Sequence, residues 1–129
     1  MTKPKQPRPT DAELEILRVL WQRGPSTVRE VYEIVSKTKP TGYTTVLKFM
    51  QIMADKGLVQ RDEQQRAHVY KARVPQEQTQ RQLVGDLLRR VFDDSAAQLV
   101  MHALAAKKAS PEELVQIRQL LDEIERGGK

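Results

Sequence analysis

The chain has 129 residues, 39% of them apolar and 30% charged, and carries a formal net charge of +5. That is room for one ordinary domain, or for a domain of about 70 residues with a helical appendage, and too little for a large catalytic cleft. No cysteine occurs, which excludes disulfides, thiolate metal sites and cysteine nucleophiles, and the apolar runs fall far short of a membrane span, so no membrane insertion is expected.

The charge is uneven along the chain. Residues 1–75 hold 14 Lys and Arg against 8 Asp and Glu, a balance of +6, whereas residues 76–129 hold 8 against 9, a balance of −1. The front part is therefore the candidate polyanion binder. Residues 1–9 are basic and proline-rich, with no apolar segment of the kind a secretory signal has. They read as a disordered basic arm of a cytoplasmic protein.

Thr10-Asp11-Ala12-Glu13 is a capping box, in which a threonine hydroxyl takes the amide three residues on and the glutamate returns the bond. It opens a first helix with an apolar stripe of Leu14, Leu17, Val19, Leu20 and Trp21, ended by Gly24-Pro25. Trp21 falls in that stripe and is expected in the core. Ser26 or Thr27 caps a second helix, with Val28, Val31, Tyr32 and Val35 on one face and Arg29, Glu30 and Glu33 toward water, closing at Lys37-Thr38-Lys39-Pro40. A third helix starts at Thr41 or Gly42 and runs to Lys56, with Gly57 marking its stop.

From Leu58 the hydrophobic period drops from about 3.6 to 2. Leu58–Arg61 and Ala67–Ala72 read as strands around the charged tip Asp62–Arg66. Three short helices followed by a two-stranded hairpin is the order of a winged helix-turn-helix. The expected architecture is mainly α: this domain over residues 10–75, then a helical dimerisation domain over residues 76–126.

Wound at 100° per residue, the third helix puts Val46, Leu47, Met50, Met53 and Ala54 on one stripe and Thr44, Lys48, Gln51 and Asp55 on the opposite one. Short hydroxyl side chains, a lysine and a glutamine on the free face are types that reach base edges and phosphates in a major groove. The expected DNA-contacting set is Lys37, Lys39, Thr41, Tyr43, Thr44, Thr45, Lys48 and Gln51 on and before the helix, with Arg61, Arg66 and His68 on the wing. A polar face is common to surface helices, so the alternative is a winged helix that docks another protein.

The rear segment carries three amphipathic stretches. Leu83, Leu87 and Val91 mark the first, Leu99 and Leu104 the second, and Leu114, Ile117, Leu121 and Ile124 the third, which opens with a capping box at Ser110–Glu113. Short amphipathic helices do not bury their stripes alone, so these nine residues are the expected homodimer interface. The paired carboxylates Asp93-Asp94 and Glu112-Glu113 each stand at an expected helix start, where they suit the dipole. His68 and His102 are isolated. No catalytic set, cofactor or metal site is expected.

Taken together, Thr10–Leu17 with Leu20-Trp21, Val28–Tyr32, Tyr43–Val46 with Lys56–Val59, and Arg66–Tyr70 resemble the BlaI/MecI penicillinase-repressor family of winged-helix regulators, over nearly the whole chain. The resemblance implies a nucleoid-associated homodimeric repressor on a double-stranded dyad operator with TACA/TGTA-like half-sites. It also implies, as a partner, a β-lactam-sensing membrane protein that leads to cleavage of the repressor. Where relatives have a scissile Asn-Phe bond, this chain has His102-Ala103, so the resemblance leaves the inducing signal unassigned. Copper-responsive members carry a cysteine cluster that this chain lacks.

Overall fold

A computed structural model describes residues 8–127 apart from Gln65. The expected basic arm therefore lies, except for Arg8 and Pro9, outside the described residues. The chain folds as two compact units that meet between Val84 and Gly85.

In the first unit, α1 (Asp11–Arg23), α2 (Val28–Thr38) and α3 (Tyr43–Lys56) precede a small antiparallel sheet. The α1 capping box forms as expected: Glu13 N–H donates to Thr10 Oγ1 at 3.2 Å, and Thr10 N–H donates to Glu13 Oε1 at 3.0 Å. Gly24 ends the helix at φ +93°, a conformation open to glycine. A second capping box starts α2, between Thr27 and Glu30.

The sheet has three strands rather than the two expected: β1 (Ser26–Thr27), β2 (Val59–Asp62) and β3 (Val69–Ala72), in the order β1-β3-β2. Ser26 pairs with Tyr70, Val59 with Ala72 and Asp62 with Val69. β2 starts one residue late because Leu58 belongs to the α3 stop. Its N–H donates to the Met53 carbonyl at 2.9 Å while Gly57 sits left-handed at φ +84°. β3 starts at Val69, so Ala67 and His68 lie in the exposed bend before it.

The core of this unit gathers one stripe from each helix and the inner face of the sheet: Leu17 and Leu20, Val31 and Val35, Val46, Met50 and Met53, Leu58, Val59 and Tyr70. Leu47 and Ala54, expected in the same stripe, are half-buried at its margin. Trp21 packs against the core, and its indole N–H donates to the Val74 carbonyl at 2.9 Å. One charged side chain is enclosed with these residues. Glu13 is 2% exposed, and its two carboxylate oxygens each receive Lys56 Nζ at 2.9 Å. The capping-box glutamate of α1 thus also grips the last residue of α3.

The chain continues into α4 (Gln76–Arg90), which crosses the boundary between units, then α5 (Ala96–Ala106) and α6 (Pro111–Glu125). The expected capping box of α6 forms between Ser110 and Glu113, with proline at the first helical position. The Asp93-Asp94 pair corrects an expectation: it does not start a helix. Both residues are left-handed, at φ +54° and +64°, and Asp94 N–H donates back to the Leu88 carbonyl at 2.8 Å. They close α4, and Ser95 caps α5 by accepting from Gln98 N–H at 3.1 Å. No residue of α5 or α6 is buried. Val91, Val100, Met101, Leu104, Val115, Leu120, Leu121 and Ile124 are exposed, Val91 at 62%.

Candidate nucleic-acid interface

Anchoring sets which side of α3 faces out. Val46, Met50 and Met53 are buried, so the opposite stripe of Thr44, Lys48, Gln51 and Asp55 is exposed, with Tyr43 and Thr45 flanking it. Among the described residues Lys48 and Arg66 make no ion pair or side-chain hydrogen bond. Ile52 is also exposed on this helix, an apolar side chain that the angular reading did not place on the face.

The N-terminus of α3 differs from those of α1, α2 and α6. Those three carry capping boxes that satisfy their leading amides and place a glutamate in the first turn. The N-cap of α3 is Gly42, with no side-chain hydrogen bond and no acidic residue in the first turn. Leading amides without a side-chain acceptor, and an uncompensated positive dipole end, favour an external anion.

The expected contact residues fall into three groups. Tyr43, Gln51, Arg61, Arg66 and His68 line an open groove of about 490 Å³ between α3 and the wing, together with Thr27, Arg29 and Tyr70. Lys39, Thr41 and Thr45 line a separate hollow of about 310 Å³ with Ile16, Val35 and Phe49. Thr44 and Lys48 stand exposed on α3 and line neither, and Lys37 is exposed on the last turn of α2.

The wing tip is less basic than its arginines suggest. Arg61 Nε donates to Glu63 Oε2 at 2.8 Å, and the Asp62 carboxylate accepts the Gln64 N–H at 3.0 Å. Contact with the Tyr70 hydroxyl, its cross-strand neighbour, and with Glu63 holds the Arg61 guanidinium in its charged form more firmly than usual. At the start of α2, Glu30 is held below the usual carboxylate range, first by the Thr27 N–H it accepts and then by Arg23, whose guanidinium lies 2.8 Å away.

Arg29 faces water as expected, and it also lines the open groove. Its guanidinium carbon lies 5.2 Å from the centre of the Tyr43 ring, and Tyr32 meets the same ring edge-on at 5.7 Å. Residues 29 and 32 share a face of α2 by their spacing of three. That spacing was readable in the sequence, but the crossing of α2 over the start of α3 was not.

Residues 9–123 match the family model described as penicillinase repressor. The penicillinase repressor of Bacillus licheniformis is 25% identical over 119 residues, which cover 92% of this chain and 93% of the relative. The transcriptional regulator BlaI of Mycobacterium tuberculosis is 31% identical over 118 residues, covering 91% and 85%. Among solved structures, the DNA-binding domain of the repressor BlaI superposes with a TM-score of 0.51 at 27% identity, over 57% of this chain and 90% of that one. The monomeric form of Bacillus licheniformis BlaI in complex with the blaP half-operator superposes with a TM-score of 0.50, also at 27% identity, over 57% and 89%.

Proposed function

The chain belongs to the penicillinase repressor family, and from that premise we propose that it is a homodimeric transcriptional repressor whose α3 enters the major groove of a dyad operator. The observation that carries this reading is the outer face of α3. Exposed Thr44, Lys48 and Gln51 follow an N-terminus that no side chain of its own caps, beside a wing that carries Arg66. A solved relative in this family is bound to an operator half-site, which supports DNA binding here.

In this reading Lys37, Lys39 and Arg66 hold phosphates, while Thr44, Lys48 and Gln51 meet base edges. A dimer making roughly six to ten phosphate contacts should lose about 10³- to 10⁵-fold in affinity between about 50 and 200 mM salt. Fluorescence anisotropy on duplexes selected from a random pool measures this. A flat salt dependence, or no retention on random duplex at low salt, would overturn the proposal and favour a protein-docking module.

The dimer is proposed from the second unit, where apolar side chains of α5 and α6 stand in water although the helices are well capped. A second copy covering them is the simplest completion. The place of action is the cytoplasm, on nucleoid DNA; among the described residues no helix is long and apolar enough to cross a membrane. A regulatory sensor protease is the further partner proposed, acting at His102-Ala103. Both residues are exposed within α5, so the helix would have to unwind locally to enter a protease cleft. Co-expression with proteases encoded nearby, followed by mass spectrometry of fragments, tests this, and an intact chain in every case would count against it.

A further inference from the structure

The feature of the first unit that the proposed reading leaves without a role is Arg29. It is exposed, and it is the second residue of α2, where a cation runs against the helix dipole. The neighbouring acids do not explain it. Glu30 is engaged with Arg23 and the Thr27 amide, and among the described residues Arg29 has no carboxylate partner. What it does have is the Tyr43 ring, 5.2 Å from the guanidinium carbon, with Tyr32 closing on that ring from the edge at 5.7 Å. Tyr43 is the first residue of α3 and is 39% exposed, so its ring is both held and open to solvent.

We infer that Arg29 is a positioning residue for DNA reading: stacked on Tyr43, it fixes that ring at the head of α3 and at the same time holds a DNA phosphate. This rests on the DNA-binding reading above and deepens it. A guanidinium can serve both ends because it meets an aromatic ring through its face and a phosphate through N–H groups in its plane. The surroundings fit a polyanion backbone. The groove beside the stack also carries Arg61, Arg66 and His68, and Arg61 is partly neutralised by Glu63, which leaves Arg29 and Arg66 as its arginines without a carboxylate partner among the described residues. With the ring held in one place before DNA arrives, less side-chain freedom is lost on binding, and the base or sugar that Tyr43 meets is discriminated more sharply.

The test uses the full chain and two duplexes, one selected from a random pool by the unmodified protein and one of random sequence. Arg29→Ala should bind the random duplex about tenfold more weakly and the selected one about thirty- to hundredfold more weakly, narrowing the gap between them about three- to tenfold, and lower the slope of log affinity against log salt by about 0.9 for each chain bound. Arg29→Lys keeps the charge but not the planar stack. It should restore the slope and leave the discrimination reduced about three- to tenfold. Tyr43→Ala should lose the same discrimination, and Arg29→Ala should then remove little more of it, because the two act as one unit.

An Arg29→Ala protein with the parent's slope and discrimination would overturn the inference while leaving DNA binding by the parent intact. Arg29→Lys matching the parent in both measures would overturn the positioning role and leave a plain phosphate contact. Failure of the parent to bind any duplex would sink both this inference and the reading beneath it. Thermal unfolding of each variant separates these outcomes from misfolding, and Arg29→Lys, which keeps bulk and charge, serves where Arg29→Ala does not fold.

Discussion

Lys56 stands at the meeting point of stability and placement. Its ammonium, on a side chain 35% exposed, neutralises a carboxylate that is almost wholly enclosed, and the pair ties the start of α1 to the end of α3. Removing the lysine leaves Glu13 buried without its counter-charge. Lys56→Ala should therefore destabilise the chain by about 3 kcal/mol in urea titration, the low end of the range for broken buried pairs because water reaches the lysine side. Lys56→Arg should recover part of the loss. On the DNA face the expected pattern is different. Lys48→Ala and Thr44→Ala should leave stability within about 0.5 kcal/mol of the parent and relax base discrimination, whereas Arg66→Ala should weaken selected and random duplexes alike.

α1, α2, α5 and α6 each start on a side-chain cap, and α3, the helix proposed to meet DNA, starts without one. Gly42 has φ −83°, a backbone conformation other residues adopt, and a Cβ there would meet nothing closer than Thr45 Oγ1 at 4.0 Å. Gly42→Asp should therefore stabilise the folded chain by roughly 0.5 kcal/mol, through capping and the dipole together. It should also weaken DNA binding, because the added carboxylate occupies the place of a phosphate. A Tm that rises together with an unchanged operator affinity would refute an anion site at this helix end. Gly57, left-handed at φ +84°, behaves oppositely, and Gly57→Ala should cost about 1 kcal/mol with no gain elsewhere.

The α2 box makes stability depend on pH. Glu30 has a folded pKa below its ordinary value because it accepts the Thr27 N–H and faces Arg23. The stability it contributes is complete above the ordinary carboxylate pKa and is lost as pH falls through the lowered folded value. Glu30→Gln should flatten that acid limb of the unfolding curve, lowering stability at neutral pH and changing it little at low pH, where the parent's carboxyl is already protonated. Denaturation midpoints from pH 7 downward measure the difference.

At the scale of the whole molecule, the two units differ in how they treat their apolar side chains. The first buries its apolar stripes in a core of its own, and the second leaves α5 and α6 without a buried residue. If a second copy supplies the missing cover, Leu121→Asp with Ile124→Asp should convert dimer to monomer by light scattering. Operator affinity should fall with it, since two half-sites joined in one body bind as a linked pair. The unfolding temperature of the parent should rise with protein concentration, and that of the double variant should not. A double variant that stays dimeric would place the interface elsewhere.

The residues that delimit α1, α2, α3 and α6 were legible in the chain. Thr10 with Glu13, Ser110 with Glu113, and the stops at Gly24 and Gly57 act over a few positions, so the pattern carries its own meaning, as does the change of hydrophobic period at Leu58. The face of α3 followed from angle alone, because a helix with one apolar stripe has one way to pack. The remaining features depend on partners far along the chain. Ser26 becomes a strand only by pairing with Tyr70, Glu13 finds Lys56 across 43 positions, and Arg29 reaches Tyr43 only because α2 crosses the head of α3. Asp93 and Asp94 read as a helix start in isolation and became a helix end once the carbonyl of Leu88 was the acceptor within reach. Short-range hydrogen bonding and periodicity determine elements, and the choice among distant partners belongs to the packed chain, where burial decides which faces meet.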